Sequence, residues 1–249
     1  MTKTTPDTKR APAGRKPRKP KTAPAIGPVD DSVSVKSLKE PKRRGGGKDR
    51  ILAAALDLFS NLGFDAVSTA DIAQQAGSSQ SVVLYHFKTK DALWQAAMRD
   101  LFESVSVKPT FEGAMYKDLD TTSRLRVLLR SFVLTSARHP QLGRVINREG
   151  ASSTERMKWL FEELARPNYA AFESILGEGI ERGLFKSYPP AMLTLLAHGA
   201  AASLFNLQSV AEMLLGSDPF AQEVVELQAD MVVDLLLNGL IQPQAPARA

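Results

Sequence analysis

The sequence predicts an all-α protein, a short three-helix unit followed by a larger helical domain, and three observations carry that expectation. From Lys48 onward, apolar residues recur three and four apart, as one buried helical face requires. Ser, Thr, Gly and Pro punctuate these runs where helices start and stop. No stretch alternates cleanly between Gly or Asn turns, so convincing strand signals are missing.

The first helix is expected from Lys48, with Ile51, Leu52, Ala55, Leu58, Phe59 and Leu62 on one face and Gly63 as its stop. Ser68-Thr69-Ala70-Asp71 is a capping pattern that opens a short second helix, which turns inward at Ile72, Ala73 and Ala76 and is halted by Gly77. A third short helix follows from about Ser79 to His86, and a longer one from about Asp91 to Val107. Further helices are expected over 121–138, stopped by His139-Pro140, over 142–149, and over 154–182, where Pro167 must kink or split the chain. Two long apolar helices, 191–215 and 220–240, close the pattern.

Charge is segregated along the chain. The 249 residues carry a net +5, but residues 1–47 hold 13 Lys and Arg against 4 Asp and Glu, a net +9. Seven prolines and almost no large apolar side chains leave this tail too little to bury against the entropy of ordering, so 1–47 is expected to be a disordered basic tail. Its runs Lys9–Lys21 and Lys42-Arg43-Arg44 suit a polyanion such as DNA, or merely keep the chain soluble; both readings stay open. Residues 242–249 are expected to be a disordered C-terminus.

Several function classes drop out. There is no Cys, hence no disulfide framework, thiolate metal site or cysteine nucleophile, which suits a reducing compartment. No apolar run reaches the ~20 residues that cross a bilayer, and no apolar segment follows the basic N-terminus, so no membrane association is expected and a cytoplasmic, nucleoid-associated location is. Three His and no G-x-S-x-G, P-loop or H-E-x-x-H leave neither a nucleophile with its base nor a metal site, so no catalysis, cofactor or metal is expected.

Helix, short helix, Gly, short helix is the order of a helix-turn-helix, whose second short helix enters the major groove. Ser79, Gln80 and Ser81 supply small polar groups at its start, and Val82 can meet a thymine methyl. The Gln80 amide, one donor beside one acceptor, suits adenine. Tyr85, His86 and Lys90, with Ser68 and Thr69 at the preceding helix start, are candidates for phosphate contacts.

Residues 50–102 resemble the DNA-binding domain of TetR-type transcriptional regulators. The resemblance rests on Leu62-Gly63-Phe64, Asp71-Ile72-Ala73, Ala76-Gly77, Leu84-Tyr85-His86-Phe87, Lys90 and Leu93. Ser78 departs from the family's usual Val, Leu84 from a frequent phosphate-contacting Tyr, and Ala70 from a frequent basic residue. The resemblance implies a DNA-binding domain over 48–93 and an effector-binding and dimerisation domain over 94–241. It also implies a homodimer through the last two helices, and a repressor that leaves a palindromic operator when a small molecule binds. An activator, or a DNA-binding protein without an effector, is the alternative.

Candidates for the effector cavity are Met98, Phe102, Phe132, Trp159 and Phe172, with Phe161, Tyr169 and Met157 beside them. Arg148, Glu149, His139 and His198 are the polar anchors available. For the dimer, Gly199-Ala200-Ala201-Ala202-Ser203 allows close helix approach; Leu204, Leu207, Ala211 and Leu214 extend an apolar face, and Val224, Leu227, Met231 and Leu235 form another.

Overall fold

A computed structural model describes residues 46–105, 116 and 118–242; the basic runs before residue 46 and the C-terminal residues from 243 lie outside these. Helix α1, Gly47–Leu62, buries Ile51, Ala54, Ala55 and Phe59. It stops at Gly63, whose φ of +90° few side chains adopt, and where a Cβ would lie 2.6 Å from the Arg148 guanidinium. In α2, Thr69–Gln75, the capping box is complete: the Ser68 hydroxyl accepts from the Asp71 amide, and the Asp71 carboxylate accepts from the Ser68 amide. Helices α3, Gln80–Phe87, and α4, Lys90–Ser104, are capped by Ser79 and Thr89. Between them Lys88 takes a positive φ of 65°, which turns the chain within two residues. The expectation that this helix reaches Val107 falls partly outside the described residues; within them it ends at Ser104.

Helix α5, Thr121–Arg138, is followed at once by α6, Pro140–Glu149, with His139 as the only residue between them. Pro140 therefore starts α6 two residues earlier than expected, because a proline in the first turn gives up only an N–H that has no helical partner anyway. The single kinked helix expected over 154–182 is resolved into three pieces: α7, Glu155–Leu160, a π turn over Phe161–Ala165, and α8, Arg166–Glu181. Pro167 stands in the first turn of α8, and the wider π turn just before it absorbs the break. The long helix expected over 191–215 is also split. Helix α9, Pro190–Asn206, and α10, Gln208–Leu215, meet at 75° where Leu207 leaves helical geometry. Helix α11, Gln222–Leu240, ends in one antiparallel bridge, Phe185 with Ile241, that ties its last turn to the loop after α8.

Two groups of buried side chains result. The first joins α1 to α4 and includes Trp94, Met98, Val145, Leu160 and Ala165; the second joins α5, α8, α9 and α11 around Leu125, Leu176, Phe205 and Leu237. Helix α6 packs on both α1 and α9. Its approach to α9 is close: a Cβ on Gly143 would fall 2.2 Å from the Asn206 amide oxygen. No single described helix is long and apolar enough to cross a membrane.

Candidate functional site

Helix α3 is held by two residues and offers the rest. Val83 and Phe87, one turn apart, are buried against α1, α2 and α4, whereas Val82, Leu84, Tyr85 and His86 are exposed. Tyr85 is 79% exposed, an unusual setting for an aromatic ring with no packing to do. The His86 ring stands edge-on to it at 5.3 Å.

The polar candidates meet at the start of this helix. Gln80 Nε2 donates to Thr69 Oγ1 at 2.9 Å, and the Ser79 and Ser81 hydroxyls lie 2.9 Å apart. Ser68 is committed to the capping box, which holds the Asp71 carboxyl below its ordinary range through the Ser68 hydroxyl and amide. Lys90 Nζ sits 4.3 Å from the centre of the Phe64 ring, so this ammonium is placed by a cation–π contact and does not extend freely. Two cations were not foreseen. Lys48 Nζ lies 5.8 Å over the Phe87 ring, and Lys88 is exposed at the end of α3. Position in sequence hides Lys48, because only the packing of α1 on α3 brings it there.

Behind this surface α4, α5, α6, α8 and α9 line a partly open cavity of about 90 Å³. Of the predicted lining, Phe102, Phe132 and Phe172 are on its wall, with Tyr169. Met98 and Trp159 are not. Met98 faces inward from α4 and is fully buried in the first core, and Trp159 packs on Trp94 at 5.6 Å under the Arg99 guanidinium. Of the four polar anchors, only His198 reaches the wall. Arg148 turns to α1, Glu149 pairs with Arg156, and His139 joins α5 to α6. The polar wall residues Ser131, Thr135, Asn168 and Thr194 were missed, although Ser131 with Thr135 and Thr194 with His198 are each one turn apart on their helices. Burial holds the His198 imidazole below its ordinary pKa, hence uncharged at neutral pH, and raises the Tyr169 phenol. Among the described residues no cluster of His, Asp and Glu could hold a metal ion.

Helix α6 connects the two regions. Leu142 and Ile146 line the cavity, while Arg144 and Arg148 reach the end of α1: Arg144 Nη1 donates to Asn61 Oδ1 at 2.7 Å and Arg148 Nη2 to the Asn61 carbonyl at 2.9 Å.

An apolar surface is left exposed on α9 and α11. Met192, Leu195 and Leu196 of α9 and Leu227, Met231 and Leu235 of α11 are all exposed. The stripe of small residues divides: Ala201 and Ala202 are buried within the chain, as is Ala211, while Gly199 and Ser203 are exposed. Gln228 Nε2 donates across to the Ala200 carbonyl at 2.8 Å and holds α11 against α9.

Two family models match the chain. That for bacterial regulatory proteins of the tetR family covers residues 51–97, and that for the tetracyclin repressor-like C-terminal domain covers residues 118–246. The HTH-type transcriptional regulator YvdT of Bacillus subtilis is 29% identical over 141 residues, 56% of this chain and 70% of that one. The HTH-type regulator RutR of Escherichia coli is 32% identical over 113 residues, 45% of this chain and 52% of its own length. Among solved structures, the ketosteroid transcriptional regulator KstR2 of Mycobacterium tuberculosis aligns over 80% of this chain and 97% of its own with a TM-score of 0.61. The hemolysin II transcriptional regulator HlyIIR aligns over 79% and 98% with a TM-score of 0.60. Both are 16% identical to it, so they speak for the fold alone.

Proposed function

This chain belongs to the TetR family of DNA-binding transcriptional regulators, and from that premise we propose that it is a homodimeric repressor released from a palindromic operator by a small molecule. In this reading residues 48–93 bind DNA, with Ser79, Gln80, Ser81 and Val82 of α3 toward the bases. Ser68, Thr69, Tyr85, His86 and Lys90 lie toward the phosphates. Residues 94–241 dimerise and bind the effector. The observation that carries it is the division of α3 into a buried edge, Val83 and Phe87, and an exposed one that no other described part of the chain covers.

The apolar face of α9 and α11 supports a dimer, since exposed large side chains at helical spacing on two neighbouring helices match what a symmetric interface buries. A two-fold axis sets two α3 helices on one face of the duplex, and a palindrome needs them about 34 Å apart. An effector that binds better to a differently spaced pair lowers operator affinity by the same factor as the operator lowers its own. Both α4, through Phe102, and α6, through Ile146, run from the cavity to the DNA-binding helices, which supports the cavity as the effector site.

Binding of the full chain to its own promoter region, across a salt series and with residues 1–45 deleted, tests the DNA half. Saturable binding to a palindrome that survives the deletion with a shallower salt slope is expected. Binding without sequence preference, abolished by the deletion, would overturn it.

A further inference from the structure

We propose that the cavity behind α4 takes an uncharged, mainly apolar molecule with a single hydroxyl or carbonyl, held by His198. The inference deepens the effector reading above and rests on it for its biological meaning, but the chemistry of the wall argues it independently.

Among the described residues, no Asp, Glu, Lys or Arg lines this cavity. A carboxylate or an ammonium entering it would leave water without meeting an opposite charge, which disfavours both strongly. An uncharged molecule does not face that penalty. The wall is nonetheless not inert. His198 Nε2 is shielded from solvent and has no hydrogen-bond partner, an arrangement that native structures rarely leave unanswered. Its ring packs near those of Phe132 at 5.4 Å and Tyr169 at 6.3 Å, which restrict how it turns. A hydroxyl serves either tautomer of the ring and a carbonyl serves the protonated nitrogen.

The rest of the surroundings agree. Phe102, Phe172, Leu128 and Ile146 give the apolar body of a ligand its contacts. His198 also borders a wider, open cleft that contains Arg144 and Arg148, so it stands between an apolar cavity and a cationic cleft. At about 90 Å³ the cavity has room for one ring or a short branched chain.

The test is calorimetric titration of the full chain, without DNA, with two matched sets at slightly alkaline pH: benzyl alcohol, benzoate and benzylamine with toluene, and 1-butanol, butyrate and butylamine. In at least one set the alcohol should bind at least about tenfold more tightly than its acid and amine. The preference for benzyl alcohol over toluene should disappear in His198→Phe and return in part in His198→Gln. A charged member binding as tightly as its alcohol would overturn the proposal and direct attention to the cleft arginines. Failure of every member to bind, or a preference for benzyl alcohol over toluene that persists in a folded His198→Phe, would overturn it too. Should His198→Phe not fold, the order within each set for the unaltered chain decides. Release of promoter DNA by the same alcohols is measured separately: binding without release retains the chemistry assigned here and removes the effector role.

Discussion

Arg148 of α6 donates through Nη2 to the main-chain carbonyl of Asn61 at 2.9 Å, in the last turn of α1. Carbonyls in that turn have no partner within their own helix, so the guanidinium caps α1 and at the same time joins it to the helix whose opposite edge, Leu142 and Ile146, faces the cavity. Arg144, one turn earlier, repeats the link through the Asn61 side chain.

Replacing Arg148 by Ala should therefore separate two properties. Stability should fall by only about 1 kcal/mol, since the contact is exposed. Promoter affinity without ligand should stay within a few-fold, while the loss of affinity that a ligand causes becomes smaller. Anisotropy titrations with and without ligand check this; an unchanged ligand effect would remove α6 from the route.

Gly63→Ala should destabilise the chain by about 1–3 kcal/mol, through a positive φ and a collision with the same guanidinium, and urea unfolding measures it. If the double variant with Arg148→Ala is destabilised by the sum of the two single changes, backbone strain is the larger cause; a smaller total assigns the difference to the coupling with Arg148.

On α3, Gln80→Ala should cost about 1–3 kcal/mol on the preferred operator and relax preference at one base pair. Tyr85→Ala should instead weaken binding to all sequences alike. Neither should move thermal stability by more than about 0.5 kcal/mol, because both side chains are exposed. A selection on randomised DNA separates the two outcomes.

Leu235→Glu puts a carboxylate on the apolar face of α11 at a residue that is 67% exposed in the single chain. Sedimentation should show a shift from dimer toward monomer with operator affinity lost in parallel. A variant that stays dimeric places the interface elsewhere.

The carboxylate of Glu178 on α8 accepts from Thr121 Oγ1 at 2.7 Å, from Arg124 Nη2 at 2.7 and 2.6 Å, and from Arg182 Nη1 at 3.0 Å. The Thr121 hydrogen bond, then those of Arg124 and Arg182, hold its pKa below the ordinary glutamate value. A depressed folded pKa means that this stabilisation is complete above the unfolded value and is lost as pH falls through the folded one. Glu178→Gln should accordingly be less stable than the unaltered chain at neutral pH, with the gap closing toward acid. Urea midpoints across pH read this directly, and a gap independent of pH would assign the effect to packing.

The N-terminal half of this arrangement was legible because its signals are local: Ser68 with Asp71, Gly63 and Gly77 mark helix ends wherever they occur. The break at Leu207 has no such mark, since neither Gly nor Pro stands there and the apolar period runs through it. Met98 and Trp159 were expected at the cavity on residue type, which does not say what a side chain packs against. Both went to the core around Trp94, and much of the cavity wall fell to residues such as Thr135 and Asn168, whose polarity argued against burial.

The hydrogen bond from Gln80 to Thr69 has a consequence for how strictly an operator must be spelled. In a complex that places Gln80 at a base lacking the right groups, its amide does not hang unanswered; it returns to the threonine hydroxyl it already held. An error at that base then costs a lost gain and no more, where an unpartnered amide would add a penalty of its own. A regulator that reads a base with Gln80 should then tolerate variant spellings, and Thr69→Val, which removes the refuge, should make it a stricter reader.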